Sequence, residues 1–255
     1  MKQVIVSGSF DDLRSRHIRF LEAASKLGEL NVLLWSDKLA GQPKFSDVER
    51  RYLVEAIRYV HDVRIVNHPF ETVALRPDLW VADGSSATAC PATGFECRVL
   101  TDKDLAGFTV PAPAPTPPGR KKVVVTGCYD WFHSGHVRFC EEVSQLGDLY
   151  VCIGSDANVQ LLKGPGHPLF TQEERRYVVG SVRYVKECLV TTGTGWMDAA
   201  PEIDRIKPDI YTVNEDGDKP EKREFCREHG LQYVVLKRTP KEGLTRRSST
   251  DLRGF

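Results

Sequence analysis

The chain has 255 residues, an ordinary apolar content, and 35 basic against 35 acidic residues for a formal net charge of zero. A balanced charge gives no bulk attraction to nucleic acid or to an acidic membrane surface, and no apolar run approaches the roughly 20 residues of a membrane span. The seven cysteines are scattered with no C-x-x-C pair; Cys140 and Cys152 lie in apolar surroundings and read as packed, reduced thiols, which makes a cytoplasmic location the default expectation.

The first residues, "MKQVIVSGSFDD", have too short an apolar stretch for a secretion signal and enter a strand directly. Phe20, Ala24 and Leu27 then recur at helical spacing, with Gly28 as a stop, and "NVLLW" reads as a second strand. Near the middle, "PAPAPTPPGR" (Pro111–Arg120) favours extended polyproline geometry at roughly 3 Å per residue, a linker of limited flexibility. Beyond it "KVVVTG" is a β-branched strand ending in glycine. Phe139, Val143 and Leu146 mark one helix face with Gly147 as its stop, and "DLYVCIG" is a strand. "TQEERRYVVGSVRYV" is a helix with Thr171 at its N-cap and Glu174 three residues on, and "PDIYTV" and "QYVVLK" are further strands.

The two halves repeat. Val4–Asp37 matches Val123–Asp156 at 16 of 34 positions without a gap; Gly41–Val60 matches Gly166–Val185 after six extra residues in the second copy; Arg76–Ser85 echoes Lys207–Gly217. We therefore expect an α/β protein of two tandem Rossmann-like domains, each a parallel sheet with helices on both faces. The boundaries would be 1–110, a linker at 111–120, and 121–255. Ligands of such sheets sit at the carboxyl ends of the strands, where Gly127–His136 would lie.

In "TGCYDWFHSGHVRF" a strand ends at Thr126, Gly127 permits a sharp turn, and a helix begins near Ser134 and Gly135. The free amides and positive dipole end of that helix make an anion site, and Gly135 lets a phosphate approach the backbone. His133 and His136, three apart, share one side of the first turn and suit a reaction that builds negative charge on phosphoryl oxygens.

G-C-Y-D-x-x-H-x-G-H resembles the signature of the HxGH nucleotidyltransferases, and most of all the cytidylyltransferases that make CDP-ethanolamine, CDP-choline and CDP-glycerol. "LLKGPGHPLFTQEERRYVV" and "RSSTDLRG" resemble further blocks of the ethanolamine-phosphate enzyme, itself a tandem duplication with one degraded copy. The resemblance implies that His133 and His136 contact the nucleotide phosphates and that Lys163 neutralises the α-phosphate or the acceptor. Arg175 would order phosphates or acceptor, Trp196 would line the acceptor or base pocket, and Gly127, Cys128, Tyr129 and Asp130 would shape the nucleotide loop. Ser248, Ser249 and Thr250 would bind the β- and γ-phosphates. It further implies in-line attack by an acceptor phosphate on CTP, release of pyrophosphate, no covalent intermediate, and Mg²⁺ on the triphosphate. The acceptor would be phosphoethanolamine, phosphocholine or glycerol 3-phosphate.

Two departures leave alternatives. "RTPKEGLTRRSST" is longer than the family pattern, so Arg238 and Arg246 compete for one phosphate-binding role. "TVNEDGDKPEK" places Glu215 where the family has glycine, and its "DGDKPE" resembles the adenylyltransferases of sugar phosphates, so ATP and a sugar or flavin-type phosphate are the second reading. A non-catalytic nucleotide sensor or scaffold is a third. The first copy replaces His133 by Arg14 and Gly135 by Arg16, lacks the Lys163 loop, and has no Ser-Ser-Thr end. It is expected to be catalytically inert, paired with the second as an internal pseudo-dimer that could dimerise further, or else converted to an anion-binding pocket.

Overall fold

A computed structural model describes residues 2–71, 77–85, 90 and 96–252, the side chains at 250 and 251 excepted. The chain divides into two compact units, Met1–Phe108 and Thr109–Phe255. In the first, β1 (Gln3–Gly8), α1 (Ser15–Ser25), β2 (Glu29–Trp35), α2 (Asp37–Ala40), α3 (Asp47–Glu55), β3 (Asp62–Val66), β4 (Leu79–Asp83) and β5 (Cys97–Leu100) follow in order. The second runs β6 (Lys122–Gly127), α4 (Ser134–Ser144), β7 (Asp148–Ile153), α5 (Asp156–Lys163), α6 (Gln172–Gly180) and β8 (Val185–Val190). It continues with α7 (Ala200–Ile206), β9 (Ile210–Asn214), α8 (Pro220–Glu228), β10 (Gln232–Leu236) and α9 (Ser249–Leu252), with single 3-10 turns at Gly195–Met197 and Glu215–Gly217.

Each unit is a five-stranded sheet, ordered β3-β2-β1-β4-β5 and β10-β9-β6-β7-β8, and every pairing is parallel. The fold is α/β and Rossmann-like, twice over. The runs read as strands are buried as such: Val4, Ile5 and Val6, and Val123, Val124 and Val125, are at most 1% exposed. Tyr211, Val213, Cys226 and the α7 residues Ile203 and Ile206 close the core around Val124. In each sheet the chain builds outward from its first strand, then returns to the other side of it. The crevice at that reversal, outside the ends of β6 and β9, is where such sheets hold ligands.

Two glycines do a different job from the one expected. α1 and α4 end at Ser25 and Ser144, before Gly28 and Gly147. A Cβ at Gly28 would come within 2.2 Å of the Lys2 carbonyl oxygen, and one at Gly147 within 2.2 Å of that of Lys121. These residues are glycine because backbone passes against backbone there.

The Pro-rich stretch, read as a linker of limited flexibility, is fastened to the second unit by hydrogen bonds. Ala114 N–H donates to the Lys186 carbonyl at 3.0 Å. Lys186 Nζ returns a bond to the Ala114 carbonyl and donates to Thr116 Oγ1. Thr116 Oγ1 donates to Asp148 at 2.6 Å, and Arg120 pairs with the same carboxylate at 2.9 Å. Prolines alternate with Ala114 and Thr116, and those residues keep the donors that prolines lack.

Cys140 and Cys152 are buried free thiols, as expected. Cys90 and Cys97 form a disulfide that the scatter of cysteines did not suggest. Among the described residues no helix is long and apolar enough to cross a membrane.

Candidate active site

A cavity of about 360 Å³ opens at the ends of β6 and β9. The sequence placed Gly127, Cys128, Tyr129, Asp130, His133, Gly135, His136, Lys163, Arg238, Ser248 and Ser249 in one site, and all of them line this cavity. A second cavity of about 150 Å³ adjoins it, lined by Asn158, Leu162, Trp196 and Asp198, and sharing Thr126, Gly127, Cys128, Lys163 and Lys222 with the first. Trp196 is 52% exposed, with the Lys219 ammonium 5.4 Å from its ring.

The turn from β6 into α4 sets the two histidines. Tyr129 takes φ +53°, and its buried ring lies where a Cβ on Gly127 would come within 2.7 Å of Tyr129 Cε2. Glycine at 127 thus lets Tyr129 fold back under the loop. His133 caps α4: its Nδ1 accepts from the Gly135 N–H at 3.1 Å, which leaves the Nε2–H as the donor of a neutral ring. The rings of His133 and His136 stack at 3.9 Å between centroids and 22° between planes, with Tyr129 4.9 Å from His136.

Gly135 therefore needs a corrected explanation. Its amide is not left open for a phosphate but is held by His133. A Cβ at 135 would approach the His133 ring to 2.9 Å. Glycine is required so that an imidazole can cap the helix.

His136 is held neutral. Burial pushes its pKa well below the usual histidine value, with the nearby His133, Arg238 and Lys163 acting in the same direction. Its Nδ1 is buried and has no hydrogen-bond partner among the described residues. A neutral imidazole can donate one N–H to a phosphoryl oxygen, and negative charge arriving beside it would raise its proton affinity.

The structure separates contacting from bracing residues. Arg175 is 1% exposed, and it donates to the carbonyls of Phe170, Cys128 and Gly154 at 2.8–3.0 Å and to Asp156 at 2.7 Å. Its donors are committed to holding three loops, so its expected role in ordering acceptor or phosphate is corrected to a brace. Arg50 in the first unit bonds Phe45, Ser9 and Asp37 in the same way. Asp37 and Asp156 are thereby explained as the outer ends of the two braces. Asp130, 2% exposed, accepts the Leu169 and Phe170 amides at 2.7 and 3.1 Å and fixes the loop that follows Lys163.

Arg238 reaches the main cavity, tied to Asp216 and to the Arg247 carbonyl. Arg246 is exposed and lines, with Lys241 and Arg247, an adjoining recess that shares Gly135, Phe139, Asn214 and Arg238 with the main cavity. Of the two competing arginines, Arg238 is the one the geometry puts at the site. Ser249 Oγ donates to the Trp131 carbonyl at 3.2 Å. The Thr250 side chain lies outside the described residues.

Lys222, on α8, was not anticipated. In "DKPEKREFC" it looks like any lysine of a solvated helix. The available signal was its spacing of four before Cys226, which puts both on the buried stripe of α8.

The first unit's crevice, about 220 Å³, differs where it matters. Arg16 stands at the place of Gly135, and its guanidinium is held by Asp83 at 2.9 Å, Asp102 at 2.8 Å and Ser85 at 2.9 Å. Arg14 pairs with Asp12, and its backbone N–H donates to His17 Nδ1. Both arginines are already neutralised by carboxylates.

A parallel sheet with stacked imidazoles, lysines and a helix start at its switch point is suited to holding the phosphates of a nucleotide. The chain belongs to the cytidylyltransferase-like family, whose model matches residues 124–254. It is 37% identical over 125 residues to the FAD synthase of Ferroglobus placidus, covering 48% of this chain and 78% of that one. It is 32% identical over 99 residues to the bifunctional protein HldE of Syntrophotalea carbinolica, and 33% identical over 137 residues to that of Azotobacter vinelandii. Those two matches cover 38% and 52% of this chain but only 20% and 27% of the bifunctional proteins. None of these names is that of a phospho-alcohol cytidylyltransferase.

Proposed function

We propose that the second unit transfers an adenylyl group from ATP to a small phosphorylated acceptor, a sugar phosphate or a flavin-type phosphate, with release of pyrophosphate. The observation that carries this reading is the single cavity that gathers His133, His136, Lys163 and Arg238 at the switch point. The likeness to an FAD synthase, whose product joins an adenylyl group to a flavin phosphate, favours ATP over CTP.

In this reading the triphosphate lies across the start of α4 and the acceptor phosphate meets the α-phosphorus opposite the departing pyrophosphate. His133 and His136 donate N–H groups to oxygens on which charge grows. Lys163 and Arg238 offset the charge, and Ser248, Ser249 and Thr250 hold the outer phosphates. Positioning and charge stabilisation supply the rate. Mg²⁺ enters as part of the nucleotide substrate; among the described residues no group of three or more His, Cys, Asp or Glu could hold a metal on its own. In this reading the first unit does not transfer nucleotides: Arg14 and Arg16 stand where the second unit has His133 and Gly135, and the Arg16 guanidinium is paired with Asp83 and Asp102.

Cytidylyl transfer from CTP to a phospho-alcohol is the second reading, supported by the Lys163–Pro165 block and the family's description. The test is pyrophosphate release by the full chain with ATP and with CTP, each offered FMN, sugar 1-phosphates, phosphoethanolamine and glycerol 3-phosphate. Release with ATP and a sugar or flavin phosphate is expected. Release with CTP and a phospho-alcohol alone would move the assignment to the second reading. No release from any pair would end both and leave a nucleotide-binding scaffold.

A further inference from the structure

Five residues form the wall shared by the two cavities, and two of them are cationic, Lys163 and Lys222. Lys163 is exposed at the end of α5, where water solvates its charge. Lys222 is only 8% exposed. Its Nζ lies 3.5 Å from Thr126 Oγ1 and 6.0 Å from the Tyr211 ring centre, and among the described residues it forms no ion pair with a carboxylate. Asp198 and Asp216 attract its charge from beyond pairing distance, but burial outweighs them; a buried ammonium with no paired counter-ion is costly, and the cost is offset when an anion arrives. Burial accordingly lowers its pKa.

If the triphosphate fills the larger cavity and the acceptor the smaller one, the attacking oxygen meets the α-phosphorus at the shared wall. The triphosphate has other donors in the larger cavity: the two imidazoles, Arg238 and the α9 serines. The smaller cavity has none of these. Besides the two shared lysines, its one charged residue is Asp198, whose carboxylate accepts from Asn158 and Thr191. Among the residues lining the smaller cavity, the cations that can neutralise an entering anion are the two at the shared wall.

Building on the nucleotidyl-transfer reading, we propose that Lys222 receives the phosphate of the acceptor, which is therefore a phosphate monoester whose remaining part occupies the smaller cavity beside Trp196 and Asn158. A deprotonated oxygen of that phosphate forms the new bond to the α-phosphorus. The bond from the α-phosphorus to the oxygen bridging to the β-phosphorus breaks, and pyrophosphate leaves with that electron pair. No proton, oxidant or reductant is needed.

The test uses the full chain, α,β-methylene-ATP as the nucleotide probe and inorganic phosphate as the acceptor probe. Phosphate is titrated calorimetrically with and without the bound analogue. Lys222→Met is expected to weaken phosphate binding at least tenfold while the analogue's affinity stays within about twofold. Unchanged phosphate affinity, or a loss that falls on the analogue instead, overturns the proposal. Should Lys222→Met fail to give a folded melting curve, Lys222→Arg and Lys222→Gln replace it: arginine must retain phosphate binding and glutamine lose it, and any other order overturns the assignment. If the wild-type chain fails to bind the analogue, the adenylyl-transfer reading fails, while the phosphate titration without nucleotide still judges Lys222.

Discussion

Gly135 and Arg16 hold the same place in the two units, and the pair isolates what one side chain does. Glycine lets the His133 ring turn in to cap α4; arginine brings a guanidinium that Asp83 and Asp102 neutralise. Gly135→Arg should therefore abolish measurable triphosphate binding in a titration of the full chain while leaving most of the fold intact. Gly135→Ala is a milder probe: its Cβ would displace the His133 ring from 2.9 Å, so activity should fall more than stability. For His136→Ala, loss of a donor to developing charge predicts a kcat lower by about two to three orders of magnitude; an unchanged rate would remove the imidazole from the chemistry. Cysteine reactivity offers a check without turnover. Cys128 lines both cavities, whereas Cys140 is fully buried and burial pushes its thiol up to about 12. Iodoacetamide at neutral pH should label Cys128 and spare Cys140, and bound nucleotide should slow the labelling.

The arginine braces show how a sequence pattern can be seen and its purpose missed. E-R-R stands in both copies, at Glu49–Arg51 and Glu174–Arg176, although the first copy has lost the histidine at 14. What the sequence did not display is that Arg175 reaches back to three carbonyls on separate loops, because those partners are backbone atoms and have no sequence signature. The same limit hid the His133 cap and the duty of Gly28 and Gly147. The strands β1, β2, β6, β7, β9 and β10 and the helices α1 and α4 were legible, since β-branched runs and helical periodicity report burial directly, but the helix read from Thr171 to Val185 ends at Gly180, and Val185 opens β8. Lys222 was illegible because it shares its type with solvated lysines, and only the tertiary fold covers it. Arg175→Met should destabilise the second unit by about 3–5 kcal/mol by orphaning buried acceptors. The ion pair itself adds little, because Asp156 is 41% exposed. Urea unfolding reads the loss. A KM rise without lost stability would instead return Arg175 to substrate binding.

At the scale of the whole chain, formal neutrality hides an imbalance that appears on acidification. Each unit has a half-buried histidine in the first turn of its first helix, His17 or His136, and desolvation lowers the pKa of both from the usual value near 6.5. Lys222 is shifted the same way. A group whose folded pKa is depressed binds fewer protons folded than unfolded, so stability rises with pH wherever the unfolded chain is the more protonated. The histidine contribution is thus fully present above pH 6.5 and is lost as the pH falls through that value toward the lower folded pKa. For His136 the shift is large, so the loss should continue well below pH 6. Urea midpoints measured from pH 7.5 to 5 should decline for the wild type. His136→Asn should flatten the decline of the second unit and His17→Asn that of the first. Nucleotide acts oppositely on the same ring: phosphate charge beside His136 raises its folded pKa back toward the unfolded value, so bound ATP should make the decline below pH 6.5 shallower, which a pH-independent stabilisation would not do. A midpoint that stays level through pH 6 in the wild type would mean that these imidazoles are solvated, and the neutral, donating His136 on which the chemistry rests would be lost with it.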